Sequence, residues 1–290
     1  MLHQTFPIQA EGSLPETRLI TYIQGHYEEI NIDKRPLVLI CPGGGYGYTS
    51  AREGEALAMQ FLAMGYHAAV LKYSCAPARY PVALTELAMA LVLIREHAAE
   101  WHVDSDAVIV LGCSAGGHLA ASLGVFWKED FLAKAAGIPA ADNRLLRPDG
   151  MILCYPVITS GEFAHRGSFE NLLGEREGRT ERLEDGDSLL RRLSLETRVT
   201  ADTPPAFIWH TFTDGSVPVE NSLLFVSALR RAGVSTEFHM YPRGEHGLGL
   251  ANRLTETRDG RAVQKECATW ISLAHNWLES RYGNSLAMRK

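Results

Sequence analysis

The strongest constraint on this chain is an alternation of two patterns. Short, almost purely apolar runs are followed by stretches in which apolar residues recur at helical spacing. Residues 36–41, 67–73, 107–111, 150–154 and 205–209 are such runs, rich in Val, Ile, Leu, Phe and Ala. Runs of this length bounded by Gly or Pro read as buried strands. Between them, Leu87, Leu91 and Ile94 share one face of a helix, as do Leu119, Leu123 and Phe126. A strand without polar alternation is covered on both faces, as in a parallel sheet. The pattern predicts an α/β fold: a mostly parallel sheet of about eight strands with helices on both sides.

Other segments complete the order. Residues 17–23 have mixed strand character with no helix after them, so the part before Pro36 reads as antiparallel edge strands. Residues 52–64 read as a helix stopped by Gly65. Residues 219–231 look helical and 235–241 extended. The chain closes on a long amphipathic helix carrying Val263, Cys267, Trp270, Ile271, Ala274, Trp277 and Leu278 on one face. After the sixth strand the alternation breaks. Residues 158–203 form an insertion or lid within one domain spanning 1–290. Inside it, residues 175–187 are dense in both signs of charge and read as a solvated loop or helix face.

A net charge of −6 argues against a nucleic-acid partner, because phosphate binding needs a basic face. The most apolar stretch, residues 82–94, is too short for a bilayer and carries Glu86, so no membrane partner is expected. Cys41, Cys75, Cys113, Cys154 and Cys267 contain no CxxC pair and are odd in number, which suits free thiols in a reducing compartment. The start, Met1-Leu2-His3-Gln4, lacks a basic segment followed by an apolar one. No signal peptide is read there, and a cytoplasmic location is expected.

Gly112-Cys113-Ser114-Ala115-Gly116 matches GxSxG. The motif is weak alone, but here it lies between the apolar strand ending at Leu111 and the helix carrying Leu119. That strand-turn-helix context is the one in which such a serine is a nucleophile. A serine hydroxyl needs a base, and His246 is offered on the Gly-rich loop Gly244-Glu-His-Gly247 after an extended run. His118 and His210 fit better as packed or supporting residues, and His239 lies mid-strand. The imidazole needs an acid to fix its tautomer, and Asp214 follows the strand ending near Trp209. Three glycines in Cys41-Pro-Gly-Gly-Gly-Tyr46 let backbone N–H groups approach a ligand. Gly44 and Gly45, joined by Ala115, are the expected donors to an oxyanion. A phosphate loop is disfavoured, since neither Gly-Lys-Ser/Thr nor GxGxxG is present. Tyr46, next to these glycines, is the candidate wall of the substrate pocket.

With these motifs in place, the chain resembles the acetyl-esterase branch of the hormone-sensitive-lipase-like α/β-hydrolases, the acetylxylan esterase-like group. The resemblance rests on Pro-Gly-Gly-Gly-Tyr at 42–46, Tyr-Pro-Val-Ala-Leu at 80–84 and Gly-Cys-Ser-Ala-Gly-Gly-His at 112–118. Trp-His-Thr at 209–211, Thr-Asp-Gly-Ser-Val-Pro at 213–218 and Gly-Glu-His-Gly-Leu-Gly-Leu at 244–250 complete it. It implies an α/β-hydrolase fold, a triad of Ser114, Asp214 and His246, and no metal or organic cofactor. The chain departs from the wider family in having Pro42 where His usually opens the glycine motif, and Cys113 where an acidic residue often precedes the nucleophile. Neither departure removes a backbone donor.

The expected activity is that of a serine carboxylesterase acting on a small-molecule ester through an acyl-enzyme. Short acyl groups are expected, with acetylated sugars or xylo-oligosaccharides as the leading substrate class. An amide-cleaving relative, a formamidase or small peptidase, would use the same three residues. A ligand-binding protein on a hydrolase fold is the third reading, and such proteins lose a triad member.

Overall fold

The computed structural model describes residues 1–174 and 188–283. Its eight strands are β1 (Leu2–Pro7), β2 (Arg18–Ile23), β3 (Arg35–Cys41), β4 (His67–Lys72), β5 (Val103–Cys113), β6 (Gly150–Cys154), β7 (Ala206–Thr211) and β8 (Thr236–Tyr241). They form one sheet in the order β1-β2-β4-β3-β5-β6-β7-β8. β2 runs antiparallel to both β1 and β4, and β4 through β8 are paired in parallel. β6 and β7 are buried along their whole length, as strands covered on both faces must be. The edge strand β8 is only half-buried. This is the mostly parallel α/β sheet expected from the alternation, in the α/β-hydrolase form that the resemblance implies.

The helices are α1 (Glu55–Ala63), α2 (Val82–Glu96), α3 (Ala115–Phe126), α4 (Asp130–Ala135), α5 (Arg166–Leu173), α6 (Leu189–Arg192), α7 (Glu220–Arg231) and α8 (Trp270–Tyr282). Side chains alternate along a strand, so each central strand feeds two cores. Leu37 and Leu39 of β3 join Leu87, Leu91, Leu119 and Phe225 of α2, α3 and α7 on one side. Val38 and Ile40 join Phe61 of α1 and Trp270, Trp277 and Leu278 of α8 on the other. Among the described residues, no helix is long and apolar enough to cross a membrane.

Three expectations shift. The helix read over residues 52–64 is a 3-10 turn, Ala51–Glu53, followed by α1, because Gly54 adopts a non-helical backbone. The C-terminal helix begins at Trp270. Val263 is exposed in a loop, and Cys267 belongs to a separate 3-10 turn, where its thiol reaches Arg243 O. Cys267 is laid on the core by that turn, and at helical spacing it reads in sequence like a residue of the helix that follows. The insertion is less polar where it counts: Phe169, Leu172 and Leu173 of α5, with Leu193 and Leu195, are buried in the first core. Its charge-dense part, residues 175–187, lies outside the described residues.

Candidate active site

β5 delivers Ser114 into a tight turn before α3. Ser114 has φ 55° and ψ −118°, a backbone conformation that costs energy for any residue with a Cβ. The turn brings backbone against backbone. A Cβ on Gly112 would stand 2.1 Å from Gly116 O, and one on Gly116 would stand 2.1 Å from Cys41 O. Both positions therefore require glycine, which is the physical content of the motif. Ser114 N donates to Cys154 O and Val157 N donates to Ser114 O, each at 3.0 Å, fixing the turn to the end of β6.

His246 and Asp214 arrive from the loops after β8 and β7. Ser114 Oγ lies 2.7 Å from His246 Nε2, and His246 Nδ1 lies 2.7 Å from Asp214 Oδ2. The other carboxylate oxygen, Asp214 Oδ1, accepts from Ser216 N and Val217 N, both at 2.9 Å. His210 Nε2 approaches Asp214 Oδ2 at 3.2 Å. Burial alone would raise the Asp214 carboxyl, but hydrogen bonds from His210, His246 and Val217 hold it well below the usual carboxylate range. Asp214 is thus an anion that keeps the proton of His246 on Nδ1. That leaves Nε2 as the acceptor facing the serine hydroxyl.

The glycine loop after β3 passes beside Ser114. Gly44 has φ 128°, and a Cβ there would meet Tyr48 O at 2.0 Å. Gly43 N is taken by Glu53 Oε2 at 2.9 Å. Among the described residues, none accepts a hydrogen bond from the N–H of Gly44, Gly45 or Ala115. Gly44, Gly45, Tyr48, Ser114, His165 and His246 line one open cleft of about 350 Å³. Two larger clefts, of about 570 and 470 Å³, lie elsewhere and hold neither Ser114 nor His246, so size does not pick the site.

Tyr46 is not on the cleft wall. Its left-handed backbone, φ 57°, turns the ring inward, where its hydroxyl meets His118 Nδ1 at 2.9 Å and it is 3% exposed. Tyr48, two residues on and 66% exposed, lines the cleft instead. Sequence adjacency to the glycines could not reveal that reversal. His118 also contacts Leu193 O through Nε2 at 3.0 Å, and burial lowers it to about 4, so it is a neutral core residue as expected. Cys113 is fully buried in the second core, away from the cleft, and burial pushes its thiol far above the ordinary range.

Sequence reasoning missed a buried network behind the site. Glu53, 3% exposed, spans two loops: Oε2 holds Gly43 N and Oε1 accepts from Tyr155 Oη at 2.7 Å. Tyr155 Oη in turn accepts from Gly249 N at 2.8 Å, and its ring stands edge-on to His246 with centroids 5.2 Å apart. Arg52 Nη2 donates to Gly247 O at 2.9 Å. No motif marks Glu53 or Tyr155. Among the described residues, the set able to offer three metal ligands is His26, Asp33 and His102, at the opposite end of β5 from Ser114. The rings of His26 and His102 stack in parallel, 4.0 Å apart, so their in-plane lone pairs do not converge on one point.

The BD-FAE family matches residues 26–229. The chain is 38% identical to endo-1,4-beta-xylanase B of Butyrivibrio fibrisolvens over 225 residues, covering 76% of this chain and 33% of that protein. It is 29% identical to the acetylxylan esterase of Xylanibacter ruminicola over 213 residues, covering 72% of this chain and 40% of that protein. It spans well under half the length of these curated relatives. The crystal structure of an acetyl ester-xyloside bifunctional hydrolase from Caldicellulosiruptor lactoaceticus superposes with a TM-score of 0.75 at 36% identity, covering 91% of this chain and 88% of that one. With the sheet order and the serine turn described above, these matches place the chain in the BD-FAE family, on the α/β-hydrolase fold.

Proposed function

We propose that this chain is a serine carboxylesterase that removes short acyl groups, acetyl foremost, from hydroxylated alcohols such as sugars. The observation that carries the reading is the unbroken Ser114–His246–Asp214 chain of 2.7 Å contacts, opening on a cleft. Beside it stand three amides, of Gly44, Gly45 and Ala115, with no acceptor among the described residues. His246 Nε2 takes the Ser114 hydroxyl proton as Oγ attacks the ester carbonyl. The oxygen gathers negative charge and is stabilised by those amides. His246 then gives the proton to the departing alcohol, leaving an acyl-serine. Water, deprotonated by His246, attacks next, and the acid leaves as Ser114 recovers its proton. Every bond and proton change is accounted for by these residues and water.

The acyl and alcohol preferences draw on the relatives. An acetylxylan esterase and an acetyl ester-xyloside hydrolase are among the proteins to which the chain is similar. The test is a fluorophosphonate probe with an activity panel of acetyl, butyryl and octanoyl aryl esters, an acetylated xylo-oligosaccharide and an anilide. Labelling of Ser114 with turnover of the acetyl esters is expected. A Ser114→Ala variant with near-native turnover would end the serine-esterase reading.

A further inference from the structure

Among the described residues of the segment between β6 and β7, one titratable side chain lines the cleft, His165. It precedes α5 and caps it: Nδ1 accepts from Ser168 N at 3.3 Å and lies 2.8 Å from Ser168 Oγ. A ring nitrogen that accepts a backbone N–H carries no proton, so in the neutral imidazole the proton sits on Nε2. No described residue accepts from Nε2, while the ring lines the same cleft as Ser114 and His246. Its Cε1 comes within 4.0 Å of where a Cβ on Gly45 would stand, so it sits over the glycine loop. Burial, and then the neighbouring His246, hold His165 below the ordinary imidazole range, which favours the neutral donor form.

The donor is held rigidly. Asn171 Nδ2, on α5, donates to Gly45 O at 2.9 Å, and Arg79 Nη1 donates to Asn171 O at 2.6 Å. On the other side, Asn221 Oδ1 accepts from Ile158 N and Thr159 N at 2.9 and 3.0 Å. The Nδ2 of the same residue donates to Phe163 O at 2.9 Å. The backbone flanking His165 is thus fastened to the glycine loop and to α7, and little ordering remains for a ligand to impose.

We propose that His165 is a specificity-determining residue whose Nε2–H binds an oxygen of the alcohol part of the ester: a hydroxyl or ring oxygen close to the ester oxygen. This rests on reading the cleft as a short-acyl esterase site. In an acetyl ester the carbonyl oxygen goes to the glycine-loop amides, and beyond it the acyl side presents only a methyl group. A further N–H on the wall therefore finds an acceptor only on the alcohol side, which selects polyol and sugar acetates over acetates of plain alcohols.

The test compares 4-nitrophenyl acetate with a monoacetylated methyl xyloside on the wild type, His165→Ala and His165→Gln. Melting curves check that the loss of the α5 cap leaves the variants folded. His165→Ala is expected to lose about thirtyfold in kcat/KM on the xyloside, mostly through KM, and about threefold on the aryl acetate. The tenfold difference is what one hydrogen bond between neutral groups supplies. His165→Gln, whose amide N–H reaches the Nε2 position, should restore the xyloside to within about fivefold of wild type. Equal losses on the two esters in folded His165→Ala would overturn the proposal, leaving the ring as a helix cap. A wild type that cleaves the aryl acetate but rejects the xyloside would overturn it too, while the serine-esterase reading stood. A wild type inactive on both, with Ser114 unlabelled by a fluorophosphonate, would bring down that reading and this inference together.

Discussion

Ser114 sits where its backbone, φ 55° and ψ −118°, is paid for by packing against Cys41, Gly116 and Cys154. The side chain is held at the tip of a turn that the chain cannot relax without moving β3 or β6. Ser114→Ala, His246→Ala and Asp214→Asn should therefore fold, with melting temperatures near that of the wild type. Each should lose on the order of a thousandfold or more in kcat, and double variants should lose little further, because the three act as a unit. Losses that multiply in the doubles would contradict that unity. Cys113, one position earlier, faces the second core. Its neutral, buried thiol cannot serve as a nucleophile. Cys113→Ala should keep most of the activity; its abolition in a folded variant would mean that the thiol takes part. The hydrogen-bonded set Ser114, His246 and Asp214 could be picked out in the sequence because each member lies in a short contiguous motif at a strand end. Glu53 and Tyr155 were not, since their partnership joins residues 102 positions apart and no local pattern encodes it.

Period carries most of the information about elements, and its failures have a common cause. β5, the serine turn and α3 were readable because an apolar strand, two glycines forced by backbone contact and a helical stripe follow one another without a break. α5 was hidden because its stripe, Phe169, Leu172 and Leu173, is short and set among polar residues. The stripe nevertheless decides what the cleft accepts. It is spent on the first core, so α5 turns its apolar face inward and offers His165 to the substrate. A longer acyl chain gains about 0.8 kcal/mol per methylene only where an apolar groove receives it. The cleft is small and lined largely by polar groups and glycines. Catalytic efficiency on aryl esters should therefore fall from acetyl and butyryl to octanoyl, with no activation at an emulsified lipid surface. A steady rise through octanoyl would mean that an apolar channel exists beyond these walls.

The described residues form two apolar cores divided by one sheet, and the polar groups sealed into them tie stability to pH. His118 and His67 are each 1% exposed, and burial lowers both to about 4. His118 is wedged between Tyr46 Oη and Leu193 O. His67 accepts from Gln24 N through Nδ1 and donates to His102 O through Nε2. In the unfolded chain both would titrate near 6.5. Above that value neither state binds the proton, and their contribution to stability is fully present. As pH falls from 6.5 towards 4, the unfolded chain takes up protons that the folded one refuses, so stability drops; below about 4 both states are protonated and the loss levels off. Each histidine contributes roughly 3 kcal/mol across this window. Glu86 and Asp149, raised by burial, bind protons more readily in the fold and act in the opposite sense. Asp214, held low, matters only below the ordinary carboxylate range. A comparison removes these shared contributions. Urea unfolding of the wild type and His118→Gln at pH 8, 6.5, 5.5 and 4.5 should show the variant less stable at pH 8. Its deficit should shrink by up to about 3 kcal/mol as the pH falls, because glutamine has no proton to refuse. A deficit that stays constant from pH 8 to 4.5 would show that His118 is not held neutral. The loss of stability between pH 6.5 and 4 would then rest on His67.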